Sequence, residues 1–206
     1  MAKHFTQSEK SAIQTELMAK GKDLFSRYGL KKTTINDFTS AVGIAKGTFY
    51  HFFDSKEILY FEIFLREERR LKKQSLEFLS SFDQITPKQF QKFLFESINL
   101  VDKNPILQVL LNKDEYEQLM RKLPPGYLEE HTREDTEVLT PLFSQMQQQG
   151  NLIQWDIHTI VGVIRAMMML TLHKSELGED SFEDIMKLLT KLIAKGLIKE
   201  RANEHG

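Results

Sequence analysis

Apolar residues recur at intervals of three and four along almost the whole chain, and this spacing limits what it can fold into. Such spacing gathers apolar side chains on one face of an α-helix, whereas a half-buried strand needs strict alternation. No stretch combines sustained alternation with the β-branched and aromatic enrichment of strands. The sequence therefore predicts an all-α protein of about nine helices and no sheet.

Caps, glycines and prolines divide this pattern into separate helices. We expect the first from about Gln7 to Tyr28, because Thr6 and Glu9 have the spacing of a capping box and Gly29 can end a helix. The other expected helices run from Thr34 to Gly43, over 46–53, 55–80 and 87–103, from Asn104 to Leu123, over 127–149 with a kink at Pro141, over 156–177 and over 181–200.

The helix expected over 55–80 is long and contains neither proline nor glycine. Asp54 and Glu57 have capping-box spacing at its start. Its middle reads REERRLKK, which is typical of a solvated helix face with ion pairs four residues apart, such as Glu68 with Lys72.

The chain contains no cysteine, which excludes disulfides, thiolate zinc sites and cysteine nucleophiles. The most apolar stretch, 160–172, is interrupted by Arg165 and is shorter than the roughly 20 residues that span a bilayer. No phosphate-binding, metal-binding or catalytic motif is present. We expect a cytoplasmic protein with no membrane partner, no cofactor and no enzymatic activity.

Charge is distributed unevenly along the chain. Residues 1–56 hold nine Lys or Arg against five Asp or Glu, a balance of +4, whereas residues 57–206 hold nineteen against twenty-four, a balance of −5. A basic amino-terminal part on an acidic body fits contact with a polyanion. A chance fluctuation of surface charge explains the numbers equally well.

Residues 33–53, TTINDFTSAVGIAKGTFYHFF, have the pattern of a helix-turn-helix. Gly43 sits where the backbone must reverse without a Cβ clash. The second helix of such a unit can enter the major groove of DNA with its first residues at the base edges. Helix amino termini and exposed hydroxyls favour phosphate. The candidate DNA-binding residues are Thr33, Thr34, Lys46, Gly47, Thr48, Tyr50, His51 and Lys56.

The segment GLKKTTINDFTSAVGIAKGTFYHFFDSKEILYFEIF resembles the DNA-binding segment of the TetR family of bacterial transcriptional regulators. Shared features are the Thr-Thr pair before the second helix, the Val-Gly-Ile turn, Lys-Gly-Thr-Phe-Tyr-His-Phe-Phe, and the Ser-Lys-Glu that follows. The motif resemblance covers about residues 8–65, and the rest of the chain is similar only in its helical architecture.

Two positions depart from the family pattern. Ala45 stands where Ser or Thr commonly caps the recognition helix, and losing that cap costs about 1 kcal/mol. Thr39 stands where a small Ala commonly packs between the two helices. Neither change removes the motif, although Ala45 also removes a possible phosphate contact.

The resemblance implies a DNA-binding domain over 1–55 and a helical effector-binding and dimerisation domain over 56–206. It implies a homodimer, formed by the last two helices, that binds a palindromic operator in double-stranded DNA. A small-molecule effector, either cationic or simply apolar, would release a repressor from that operator. Activation of transcription would use the same DNA chemistry and stays open.

Helix faces suggest further site residues in the carboxy-terminal part. The candidate dimer interface comprises Ile157, Ile160, Val161, Ile164, Met168, Ile185, Leu189 and Leu192. The candidate effector-binding residues are Phe93, Leu107, Leu110, Tyr127, Phe143 and Met167. Two alternatives from other classes are a helical enzyme and a protein-interaction module in which the helix-turn-helix is vestigial. A chance pair of short helices is a third.

Overall fold

The computed structural model describes residues 5–82 and 84–199. Within them the chain is all-α, as predicted, and its only β feature is an isolated antiparallel bridge between Leu152 and Ile198. The helices are α1 (Gln7–Lys32), α2 (Ile35–Val42), α3 (Lys46–Phe49), α4 (Lys56–Ser80), α5 (Pro87–Lys103), α6 (Lys113–Met120), α7 (Tyr127–Gln148), α8 (Ile157–Met169), α9 (Lys174–Leu177) and α10 (Glu179–Leu197). None of these described helices is long and apolar enough to cross a bilayer.

The amino-terminal helices begin close to where capping predicts. Thr6 and Glu9 form the expected capping box of α1. Gly29 adopts a φ of +75° and kinks α1, which continues to Lys32 rather than ending there. Ser55, not Asp54, caps α4, because its hydroxyl accepts the backbone N–H of Ile58 at 3.2 Å.

Two long helices of the sequence prediction are each broken in the structure. The stretch from Asn104 to Leu123 becomes a 3₁₀ turn, Leu107–Leu111, followed by α6. Asn112 causes the break, since its side chain accepts the N–H of Glu115 at 3.0 Å and starts a new helix.

The helix expected over 156–177 is divided in the same way. A 3₁₀ turn, Leu170–His173, separates α8 from α9. The hydroxyl of Thr171 donates to the carbonyl of Met168 at 2.6 Å. Such back-bonding by threonine bends helices. Within the described residues, α10 ends at Leu197. The expected end of the last helix at residue 200 lies outside them.

Buried apolar side chains form two hydrophobic cores. The amino-terminal core contains residues of α1 to α4 together with Ile106, Leu107, Val109 and Leu119. The carboxy-terminal core contains residues of α5, α7, α8 and α10 together with Leu79 at the end of α4. Helix α4 thus contributes to both cores, and the amino-terminal core extends past residue 55 to include α6.

Candidate nucleic-acid interface and interior cavity

Local hydrogen bonds fix the turn between α2 and α3. The backbone N–H of Thr34 donates to Asp37 at 2.8 Å, and the N–H of Asp37 returns to the Thr34 hydroxyl. The Thr34 backbone N–H, and then its hydroxyl, hold the pKa of Asp37 below its ordinary value. Gly43 adopts a φ of +74° and its N–H donates to the carbonyl of Thr39, which ends α2.

Aromatic side chains hold α3 against the other helices. The rings of Phe38 and Phe49 stack with centroids 6.1 Å apart, and Phe25 contacts Phe38 at 5.0 Å and Tyr60 at 4.8 Å. All four are almost fully buried. Each such pair contributes about 0.5–1.5 kcal/mol beyond area burial, so the backbone of α3 is rigidly placed.

The opposite side of α3 is open. Lys46, Gly47, Tyr50 and His51 are exposed, and Thr48 is half-buried. A Cβ added to Gly47 would meet no atom within 4 Å. The structure therefore brings five of the eight predicted DNA-binding residues onto one short, accessible segment.

Thr33 and Lys56 make structural hydrogen bonds within the fold, and their predicted phosphate contacts stay a prediction. Thr33 is buried and its hydroxyl donates to the carbonyl of Gly29 at 2.7 Å. The Lys56 Nζ donates to the carbonyls of Leu30 at 2.8 Å, Lys31 at 3.4 Å and Thr33 at 2.8 Å. Because an ammonium group has three N–H donors, Lys56 joins the start of α4 to the α1–α2 turn.

The two departures from the family pattern are accommodated differently. Ala45 precedes α3 and makes no side-chain cap, as the sequence predicts. Thr39 is buried, and its hydroxyl donates to the carbonyl of Asn36 at 3.2 Å. The extra hydroxyl of Thr39 is thus satisfied within α2.

A buried carboxylate joins α1, α4 and the end of α5, which sequence analysis did not single out. Glu67 accepts from Lys22 at 2.6 Å, from Arg70 at 3.3 Å and from Asn104 at 3.3 Å. Burial by itself would raise the pKa of Glu67, but the Lys22 ammonium, the Asn104 amide and the Arg70 guanidinium together lower it. Nearby, the Tyr60 hydroxyl donates to the carbonyl of Ile106 at 2.7 Å.

An interior cavity of about 310 Å³ lies between the two cores. Phe61 and Leu119 line it from the amino-terminal core, and Phe93 and Val161 line it from the carboxy-terminal core. Such a volume is at the small end of the range for ligand sites.

The predicted effector-binding residues are only partly gathered around this cavity. Phe93 and Leu107 line it. Phe143 and Met167 are buried in the carboxy-terminal core instead, and Tyr127 packs against Phe61 with ring centroids 5.7 Å apart without lining the cavity. The Leu110 side chain lies outside the described part of the structure.

Sequence analysis missed the polar residues of the cavity wall. Glu68 and Lys72 form the predicted ion pair at 3.1 Å, but only 20% and 28% of their side chains are exposed, so this is not a fully solvated face. Both line the cavity, as do Arg165 and Tyr116, and burial raises the pKa of Tyr116. The available signal was helical spacing, because Glu68 and Lys72 continue the apolar stripe of Phe61.

A surface groove adjoins the cavity. It has a volume of about 690 Å³ and runs between α4 and α7, and it shares Glu68, Lys72 and Leu76 with the cavity. An ion pair of Arg69 with Glu134 at 3.1 Å joins the two helices across it. The shared residues mark where the interior approaches the surface.

The predicted dimer residues on α8 and α10 differ widely in burial. Ile160 and Val161 are core residues of the protomer, whereas Leu192 is 59% exposed. The other predicted residues, Ile157, Ile164, Met168, Ile185 and Leu189, are half-buried. The large apolar side chains that face outward on these helices are Val163, Met169, Leu188 and Leu192, which we term the outer apolar strip.

An exposed helix, held by a buried aromatic cluster and preceded by a capped helix and a glycine turn, places the molecule among the helix-turn-helix DNA-binding proteins. Residues 17–63 match the family described as bacterial regulatory proteins, tetR family. The helix-turn-helix segment of the chain is thus similar to the DNA-binding segment of the TetR family of bacterial transcriptional regulators.

Individual relatives agree with this assignment. The chain is 46% identical over 56 residues to the HTH-type transcriptional repressor KstR2 of Rhodococcus jostii, a match that spans 27% of this chain and 28% of that protein. It is 27% identical over 169 residues to the probable acrEF/envCD operon repressor of Escherichia coli, spanning 78% of this chain and 75% of that protein.

A solved structure extends the likeness of fold over nearly the whole chain. A TetR-family transcriptional regulator from Pectobacterium atrosepticum superposes with a TM-score of 0.77 at 16% identity, covering 95% of this chain and 99% of that one. The fold is thus shared over nearly the whole chain at low sequence identity.

Proposed function

We propose that the protein is a transcriptional repressor that binds a palindromic operator as a homodimer and leaves it when a small-molecule effector binds. The observation that carries this proposal is the open side of α3, fixed on an aromatic core that also forms a wall of the interior cavity. Residues 1–55 would form the DNA-binding domain, and residues 56–206 would bind effector and dimerise.

At the DNA, the exposed side chains of α3 and of the two residues after it divide by chemistry. Lys46 and His51 can donate to base edges in the major groove, and Thr48 can contact a base or a thymine methyl. Tyr50 is 49% exposed and its ring packs on Phe49, so its hydroxyl can donate to a phosphate from a fixed position. Thr34 is exposed at the N-cap of α2, where backbone N–H groups favour phosphate.

Two copies would associate through the outer apolar strip. Leu188 and Leu192, which are 58% and 59% exposed, lie one helical turn apart on α10, and Val163 and Met169 are exposed on α8. Exposed apolar side chains of this size favour burial against a second protein surface. A two-fold dimer would place two copies of α3 about one turn of DNA apart, which suits a palindrome.

Effector release would work by population shift. A ligand in the cavity contacts both cores, and α4 is part of both. If the ligand prefers a protomer arrangement in which the two α3 helices no longer match the groove spacing, it lowers DNA affinity by the difference between its affinities for the two states.

The test is the binding of purified protein to selected genomic fragments, followed by fluorescence anisotropy at several salt concentrations. We expect two protomers per site, a preference for selected over shuffled DNA, and affinity that falls steeply with salt. Equal, weak binding to both DNAs would contradict the proposal and would favour the interaction-module alternative.

A further inference from the structure

The cavity extends along α4. This helix lines it from Phe61 to Leu76, a separation that corresponds to about 22 Å at 1.5 Å per residue. An extended chain can contact α4 over this whole length, whereas a more compact fused-ring molecule would contact only part of it.

The lining is mostly apolar. Of the 23 lining residues that the structure describes, sixteen are Phe, Leu, Ile, Val or Met. Two of its hydroxyls, those of Ser97 and Thr171, donate to carbonyls of their own helical segments at 2.8 and 2.6 Å. Most of the length of a ligand would therefore contact hydrocarbon alone.

Charge is confined to a small part of the described lining. Among the lining residues that the structure describes, the cations are Lys72 and Arg165, and the carboxylate is that of Glu68. Lys72 and Glu68 also line the surface groove, and Ser75 adds a hydroxyl one turn further along α4. The polar part of the cavity on α4 thus lies where the cavity meets the groove.

We propose that this cavity binds a single extended aliphatic chain with an anionic head group. The chain runs along α4 towards Phe61, and the head group lies beside Lys72 at the groove. This inference rests on the proposed use of the cavity as the effector site, and it disfavours the cationic ligand that the acidic body allowed.

Isothermal titration calorimetry on the full chain without DNA tests the proposal. The ligands are n-alkanoates from about six to about twelve carbons, the n-alkanol and n-alkylamine of matching length, and a fused-ring carboxylate of similar volume. We expect one alkanoate per protomer, with affinity rising about fourfold per added methylene. The alkanoate should bind more tightly than the alkanol, and the alkylamine most weakly. Tightest binding by the alkylamine or the fused-ring acid, or no dependence on chain length, would overturn the proposal.

Two substitutions that remove charges of opposite sign test where the head group lies. Lys72→Gln should weaken alkanoate binding about tenfold, and Glu68→Gln should strengthen it, because each removes one charge beside the anion. Neither should change alkanol affinity more than about twofold. Lys73→Gln is the matched control, since Lys73 lines the groove but not the cavity. Equal effects on alkanoate and alkanol would show that the head group lies elsewhere.

DNA binding, measured separately, distinguishes this inference from the proposed function. Alkanoate binding that leaves DNA affinity unchanged would contradict the effector role and keep the ligand assignment. Normal DNA binding with no alkanoate binding would contradict the ligand assignment alone.

Discussion

Side chains of α3 and of the two residues after it, Tyr50 and His51, divide sharply by burial. Phe49 is fully buried and holds the helix, while Lys46, Tyr50 and His51 face outward. The motif predicts this division because its residue types recur at fixed spacings. It did not reveal that the side chains of Lys56 and Thr33 donate hydrogen bonds to backbone carbonyls, since those bonds depend on how α1, α2 and α4 pack together.

Replacement of either outward-facing polar residue should weaken operator binding selectively. Lys46→Ala or His51→Ala should cost about 1–3 kcal/mol on the operator and relax base preference at particular positions. Anisotropy titrations on the operator and on single-base variants measure this. Lys20→Ala, at an exposed position of α1, is the control. Equal losses on operator and unrelated DNA would remove the residue from base recognition.

Restoring a cap at the start of α3 should stabilise the protein. Ala45→Ser supplies the missing acceptor for the first N–H groups of the helix and should raise the free energy of unfolding by about 0.5–1 kcal/mol. Urea unfolding followed by circular dichroism measures the change. Ala41→Ser, within α2, is the control and should not stabilise. A stability equal to that of the parent would mean that water already satisfies those groups.

The charge of Glu67 should make the free energy of unfolding depend on pH in the acidic range. Its folded-state pKa lies below the ordinary value of 4.5, so its contribution is present above that value and is lost as pH falls towards the folded-state pKa. Glu67→Gln should cost about 1–3 kcal/mol at neutral pH, and the difference should shrink below pH 4.5.

Urea unfolding across pH measures the Glu67 effect. Glu117→Gln is the control, because Glu117 is 51% exposed and pairs with Arg121 on the surface. A difference between Glu67→Gln and the parent that stays constant from neutral pH to pH 3.5 or so would show that the carboxylate does not stabilise the fold through its charge.

At the level of elements, the sequence predicted most helix starts but not the breaks within two long segments. Proline, glycine and capping residues mark helix ends locally. The breaks at Asn112 and Thr171 arise from side-chain hydrogen bonds to nearby backbone, which compete with a helix that the apolar spacing would also allow.

The sequence predicted where α8 begins more accurately than which of its side chains face the core and which line the cavity. Met167 was expected at the cavity but belongs to the core, and Met168 and Met169 line the cavity instead. One residue rotates the side-chain direction by about 100° on a helix, so small errors of phase exchange core and surface. Ile160 and Val161, which were predicted at the dimer interface, are buried in the protomer, whereas Val163 is 41% exposed.

A charge in the outer apolar strip should dissociate the dimer. Leu188→Glu or Leu192→Glu would bury a carboxylate against a second apolar surface, which is unfavourable by several kcal/mol. Sedimentation velocity should show the monomer mass with the helical content unchanged. Val138→Glu is the control, because Val138 is 49% exposed on α7, outside the strip. A dimer that persists in both α10 variants would place the interface elsewhere.

For the molecule as a whole, the helix-turn-helix and the fold class could be predicted from the sequence, but the cavity could not. The helix-turn-helix is a local pattern over 33–53, so one segment is enough to predict it. The cavity is formed by residues of α4, α5, α6, α7 and α8 that converge only when both cores are packed. No local spacing encodes that convergence. Of the predicted effector residues whose side chains the structure describes, Phe93 and Leu107 line the cavity and the others do not.

The central claim is that two copies of α3 bind one two-fold-symmetric DNA site. Selection of genomic fragments by the purified protein, followed by footprinting at moderate salt, tests this claim most directly. The account predicts a protected palindrome whose half-sites lie about one helical turn of DNA, or slightly more, apart, and loss of protection with Lys46→Ala. Protection without two-fold symmetry, or no enrichment over random DNA, would contradict it.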